Sequence, residues 1–221
     1  MKEKFIHLLD DIKKDLVYLA NEVENNIRQA VKALKKADLE LAQQIIDKDV
    51  EIDQMEVRIE KNFLELLALQ QPVAIDLRFI VGGLKMNNDL ERIGDHAVNI
   101  ARTVLSCPEM HRLESVKKIN QMKKISCSML HDVVSAFIHQ DAEEALEMHE
   151  RDEELDMLYD EVVVLTKNIL KKDSDKLDEN FAIVRVARSL ERVGDLSTNI
   201  GEEVVFMKDA KIVRHKGIEN E

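Results

Sequence analysis

From Phe5 the apolar residues Leu9, Ile12, Leu16, Leu19 and Val23 return at steps of four and three, the spacing that lays one apolar seam along an α-helix. The pattern predicts a first helix running to about Lys36. Asp38 then stands where an N-cap is needed, because its short carboxylate can accept a bond from a free backbone N–H of the next turn. A second helix is expected from there to about Gln70. Pro72 suits the first turn of a third helix, where its missing N–H removes no helical bond, and Pro108 ends that helix. A fourth helix around 112–139, a fifth capped by Asp141 with Glu144 three residues on, and a sixth from about Asp178 complete the plan. The sixth has the cleanest seam, with Ile183, Val186, Leu190, Val193, Ser197, Ile200, Val204 and Met207 at steps of three and four.

The two halves of the chain repeat one another. At an offset of 103, Asp38, Glu40, Ala42, Asp49, Glu51 and Asp53 fall on Asp141, Glu143, Ala145, Asp152, Glu154 and Asp156. At an offset of 100, LERIGDHAVNI at 90–100 falls on LERVGDLSTNI at 190–200. The three-residue difference sits near Pro72, between helices, where insertions are tolerated. The expectation is an all-α protein of six long helices forming two repeated three-helix bundles, with a first unit at 1–108 and a second at 109–221.

Composition narrows the function classes. With 2 prolines and 6 glycines there are few helix breakers, and strands have little support. The formal charge of -12 leaves no basic surplus for gripping a phosphate backbone, and an aromatic share of 4% leaves little for stacking on bases, so nucleic acid is not expected as a partner. The longest apolar runs, such as Phe79 to Leu84, fall far short of a bilayer span, and the start of the chain has no secretion-signal pattern. A soluble, cytoplasmic protein is expected, without membrane insertion. Cys107 and Cys127 have no zinc or disulfide spacing and read as small apolar residues in a reducing compartment.

Candidate chemistry lies on the acidic faces. With Met86, Leu90, Ile93, Ala97, Ile100 and Val104 on the core face of the third helix, Glu91, Asp95 and Asn99 share another face, and Glu191, Asp195 and Asn199 repeat this on the sixth. The second and fifth helices supply Asp49/Asp53 and Asp152/Asp156, again four apart. Like charges at that spacing repel by a few tenths of a kcal/mol, roughly, and a hard cation between two such pairs offsets the repulsion. Oxygen ligands suit magnesium, calcium, manganese or iron better than a thiolate-seeking metal. The alternative for any single pair is a solvated face, since 44 residues are acidic; the same pair in both repeats favours a metal site. Gly94 and Gly194 sit within helices, either for close approach to the backbone or for tight packing, and the Gly82-Gly83 pair marks a kink or packing site. Arg92 and Arg192 either orient the aspartates three residues on or form plain intrahelical ion pairs. His96, matched by Leu196 in the second repeat, is not expected to be a ligand.

QQPVAIDLR at 70–78, LERIGDHAVNI, SLERVGDLSTNI, and DKDVEID and RDEELD on the preceding helices resemble the PhoU family over nearly the whole chain, duplication included. The resemblance implies two three-helix bundles whose paired E/D-x-x-x-D motifs bind metal clusters, possessing here Asp49, Asp53, Glu91 and Asp95 in one bundle and Asp152, Asp156, Glu191 and Asp195 in the other. The metal it implies is iron, manganese, magnesium or zinc, singly or as a cluster. It further implies a regulator that restrains the phosphate-starvation response, acting with the ATPase subunit of a phosphate ABC transporter and a membrane sensor histidine kinase, and forming a homodimer. The second repeat lacks Pro72 and the AIDLR segment, so Asp76 and Arg78 have no duplicated role.

Two other classes compete with a non-enzymatic adaptor. A ferritin-like di-metal oxidase needs Glu-x-x-His, and none of the 7 histidines has an acid three residues before it. A structural helical interaction protein would carry its acidic ridges without metal. No nucleophile with a partner base, Gly-rich phosphate cradle or dinucleotide fingerprint is present, so the sequence offers no route for direct phosphate sensing.

Overall fold

The computed structural model describes residues 2–211 and 213, with side chains at 5–69, 71–211 and 213. Met1, Ile212 and residues 214–221, assigned above to the two units, lie outside the described residues. The described chain runs α1 (Lys2–Lys36), α2 (Leu39–Gln70), α3 (Ile75–Ser106), α4 (Val116–His139), α5 (Ala142–Leu146), α6 (Met148–Leu170) and α7 (Leu177–Asp209). Single 3-10 turns at Pro108–Arg112 and Ser174–Lys176 precede α4 and α7, and no strand occurs among the described residues. The all-α expectation holds.

The predicted caps form. Asp38 accepts from the Leu41 backbone N–H at 3.0 Å, and Asp141 accepts from both Glu143 and Glu144 at 3.1 Å. The fifth expected helix is present as α5 and α6, which meet at Glu147. Close by, the Ala145 carbonyl of α5 approaches Gly201 of α7, 2.9 Å from where a Cβ would stand.

Two boundaries differ from expectation. Pro72 does not lie in the first turn of α3. Gln71 (φ 46) and Ala74 (φ 50) take left-handed backbone, so the chain turns twice between α2 and α3. Helical bonding begins only with Asp76 N–H to the Val73 carbonyl (3.2 Å) and Arg78 N–H to Ala74 (3.1 Å). The fourth helix starts at Val116 rather than near 112, because Pro108–Arg112 winds as a 3-10 turn first.

The apolar seams become the core. Every residue of the α3 and α7 seams named above is fully or almost fully buried, as are Ile12, Leu16, Leu19 and Val23 of α1. α1, α2 and α3 pack together as one bundle, and α4, α6 and α7, with α5, as the other. The bundles join through α3 against α7 and α1 against α4, and one apolar cluster runs through both. Phe79 and Phe137, from different bundles, meet with ring centroids 5.1 Å apart.

α3 and α7 run antiparallel. The Arg78 Nε donates to the Met207 carbonyl at 2.9 Å, and the Lys85 Nζ is 3.0 Å from a Glu203 carboxylate oxygen. Under the offset of 100, Lys85 facing Glu203 has its counterpart in Arg185 near Thr103. The crossing is therefore an approximate two-fold. Its ends differ in chemistry: Lys85 is clasped by Glu203 and lies over the Phe206 ring, whereas the equivalent positions at the far end are Arg185, Thr103 and Ser106.

Candidate metal centres on two carboxylate ridges

The first ridge combines α2 and α3. Burial, and then the charges of Asp53 and Asp95, push the Asp49 carboxyl up, while Arg102 opposes them. Burial also raises Glu91, helped by Asp95, Asp53, Glu56 and Asp49. Asp49, Asp53, Glu91 and Asp95 thus sense one another across two helices, as the sequence spacing predicts.

The second ridge combines α6 and α7 and is more enclosed. Glu191 is 6% exposed. Burial, followed by Asp195, Asp156 and Glu191, lifts Asp152 from the ordinary 3.8 to about 7. Burial and Asp195 raise Asp156, and burial and Asp195 raise Glu191 against the pull of Arg188 and Arg192. Gly194 makes this approach possible: a Cβ there would stand 2.8 Å from Asp152 Oδ1 and 2.5 Å from Leu155 Cδ2. At Gly94 the nearest atom would be Ile52 Cγ2 at 3.2 Å, a tight contact that a few tenths of an ångström of give in the Ile52 side chain would relieve.

The arginines also differ between the ridges. Arg192 donates to Asp195 at 2.6 Å, and Arg188 pairs with Glu191. Arg92 turns instead to Asp89 at 3.3 Å and leaves Asp95. Among the described residues, no three His, Cys, Asp or Glu side chains converge closely enough to hold a metal ion in the arrangement observed. The donor chemistry fits a hard cation at the second ridge all the same. Asp152 Oδ1 and Glu191 Oε2 are buried and accept no hydrogen bond; Glu191 Oε2 has the Arg192 Nε 3.8 Å away, and Asp152 Oδ1 is the oxygen whose burial is costly unless a proton or a cation meets it.

Several residues acquire roles that spacing alone could not assign. Arg78 caps α7 from 129 positions away in the chain. His96 is half-buried, its Nδ1 has no hydrogen-bond partner, and burial lowers its pKa. Cys127 is buried, its thiol is pushed up to about 11 by desolvation, and Cys107 is likewise free and raised. Gly83 packs against Phe63, whose ring atoms lie 2.3 Å from where a Cβ would stand, so the Gly82-Gly83 pair serves packing. No helix among the described residues is long and apolar enough to cross a membrane.

The sequence model of the PhoU domain family matches residues 16–104 and 119–204. The chain is 34% identical over 206 residues to the phosphate-specific transport system accessory protein PhoU homolog of Clostridium acetobutylicum, covering 93% of this chain and 94% of that one. The homolog from Aquifex aeolicus is 34% identical over 215 residues, covering 97% of each chain. The crystal structure of PhoU from Pseudomonas aeruginosa superposes with a TM-score of 0.89 at 32% identity, covering 94% of this chain and all of that one. The phosphate transport system regulatory protein PhoU from Streptococcus pneumoniae gives 0.86 at 32% identity, covering 96% of this chain and 100% of that chain. These are names of accessory and regulatory proteins, in line with the expectation of a non-enzymatic role.

Proposed function

Because this chain belongs to the PhoU domain family, we propose that it is a cytoplasmic accessory regulator of a phosphate-specific transport system, holding metal at its two carboxylate ridges. The observation that carries the reading is the match over both repeats, each with its acidic pairs intact. In this reading Asp49, Asp53, Glu91 and Asp95 hold one metal site, and Asp152, Asp156, Glu191 and Asp195 hold the other. The cations supply positive charge that neutralises each ridge and ties its two helices together. Manganese, iron, magnesium and zinc all remain compatible with the donors.

Regulation works here through contact rather than turnover. The chain is an adaptor between the ATPase subunit of the transporter and a sensor histidine kinase, and it pairs as a homodimer. An unpartnered surface supports contact of this kind. Val50, Val57 and Leu64 recur every seven residues on α2 and are 56%, 59% and 51% exposed, and Met157 and Val164 on α6 are 62% and 55% exposed. Apolar stripes at that spacing suit a helical partner.

Two experiments test this. Expression of the chain in a bacterium lacking its own family member should restore repression of a phosphate-starvation reporter at high phosphate; a reporter that stays on sinks the regulator reading. Elemental analysis of protein purified without chelator should find metal that the variant Glu91→Gln, Asp95→Asn, Glu191→Gln, Asp195→Asn lacks while keeping its helicity. A second reading, acidic ridges without metal, is favoured by the arginines that already hold Glu191 and Asp195. Equal metal content in both proteins, or none in either, decides for it.

A further inference from the structure

At the far end of the α3/α7 crossing lies a cleft of about 520 Å³, within the range of roughly 300–1,000 Å³ of small-molecule sites. Arg102, Thr103 and Ser106 of α3 and Arg185, Arg188 and Ser189 of α7 line it, with His96 and Asn99 completing the wall. Three arginines and no acid in the lining is an unusual concentration for a chain of formal charge -12. The offset of 100 sharpens the contrast, because the equivalent positions of the other end are Glu202, Glu203 and Phe206 facing Lys85, Asn88 and Asp89. One end of the crossing is acidic and closed by the Lys85–Glu203 pair, and the other is basic and open.

The donors are available. Arg102 and Arg185 are exposed and make no hydrogen bond or ion pair among the described residues. Arg188 pairs with Glu191 through one nitrogen, which leaves further N–H groups of its guanidinium. The Thr103 and Ser106 hydroxyls donate back to their own helix, to the Asn99 and Thr103 carbonyls at 2.7 and 3.0 Å, so the arginines and the Asn99 amide supply the binding bonds. Ridge carboxylates sense two of these arginines, Asp49 feeling Arg102 and Asp156 and Glu191 feeling Arg188, while Arg185 shares the surroundings of Cys107 with Glu179 and Asp178.

We propose that this cleft binds a tetrahedral phosphate group, as free orthophosphate or as a phosphomonoester, between Arg102 of the first repeat and Arg185 and Arg188 of the second. Planar guanidinium forks match phosphate oxygens two at a time, and arginines from both helices converge on one anion only when the two repeats are docked as here. The site goes beyond the regulator reading and does not depend on it. It supplies the route for phosphate that the sequence pattern did not offer.

The test is calorimetric titration of the full chain, dialysed against chelator and then into low salt, with orthophosphate, AMP and sulfate. Orthophosphate or AMP should bind once per chain, and Arg102→Gln/Arg185→Gln should weaken that binding about tenfold or more. Lys171→Gln/Lys172→Gln, with the same loss of charge on exposed positions elsewhere, should leave it unchanged. AMP binding far more tightly than orthophosphate identifies a phosphomonoester site; equal or weaker binding identifies a site for free phosphate. No binding of either in the millimolar range, equal binding by the arginine variant, or equal weakening by the lysine variant overturns the proposal. Phosphate that binds only after manganese loading and survives the arginine substitutions sits on the metal; the cleft is then wrong and the metal reading stands.

Discussion

Asp152 illustrates how one side chain can set a property of the whole fold. Its carboxyl holds a proton to about pH 7 in the folded chain against 3.8 ordinarily, so between those values the folded state binds more protons than the unfolded state. Stability from this group is fully present below about pH 4 and is lost as pH rises to about 7. Asp49, Glu91, Asp156 and Glu191 are raised as well and act in the same direction. Chelator-treated protein should therefore unfold at lower urea at pH 7.5 than at pH 5.5, and Asp152→Asn should flatten that dependence; identical slopes for both proteins would show that Asp152 is not responsible. The two central glycines should separate just as clearly. Gly194→Ala drives a Cβ into Leu155 and Asp152 and should cost about 1–3 kcal/mol. At Gly94 the tight contact with Ile52 is set against a gain of about 1 kcal/mol in helix propensity, so Gly94→Ala should show no net loss in urea unfolding. The sequence displayed these glycines as equivalents. The closeness of Leu155 and Asp152 to α7 tells them apart.

Helices were the most legible level, and the reason is periodicity. Seams at Ile12, Leu16, Leu19 and Val23, at Met86 to Val104 and at Ile183 to Met207 each mark one buried face, and all are buried. Asp38 and Asp141 were readable as caps because a cap is a local bond between neighbours. Pro72 was misleading, since whether a proline opens a helix depends on the φ of residues around it, and Gln71 and Ala74 take left-handed values that no periodicity records. The role of Arg78 was equally invisible, because its partner is the Met207 carbonyl 129 positions further along the chain. Removing that bond should matter locally. Arg78→Ala should cost about 1 kcal/mol and speed hydrogen exchange in the last turn of α7, leaving the α4 amides as they were. Uniform acceleration through both helices would contradict a capping role.

At the scale of the whole molecule the two repeats share one core, joined where α3 meets α7 and where Phe79 meets Phe137. Urea unfolding followed by circular dichroism should accordingly give a single transition, and a fragment of residues 1–108 should self-associate or lose helicity once the α3 face that α7 covers is exposed to water. Two separate transitions, or a well-folded monomeric fragment, would show instead that the units are independent. The duplication was legible from the offsets of 100 and 103, and so were the pairs on the ridges, because both are relations within a repeat. The arginine cleft was not, since Arg102 and Arg185 belong to different repeats and meet only across the crossing. That crossing has one more consequence. Two identical subunits about a true two-fold have no front or back, and any visitor can bind them equally well in either of two poses. Here the fused copies have diverged, one end shut by Lys85 and Glu203 and the other open and lined with arginine, so the spine has a head and a tail. A protein lying along it can sit in one orientation only, and fusion has given this chain a sense of direction.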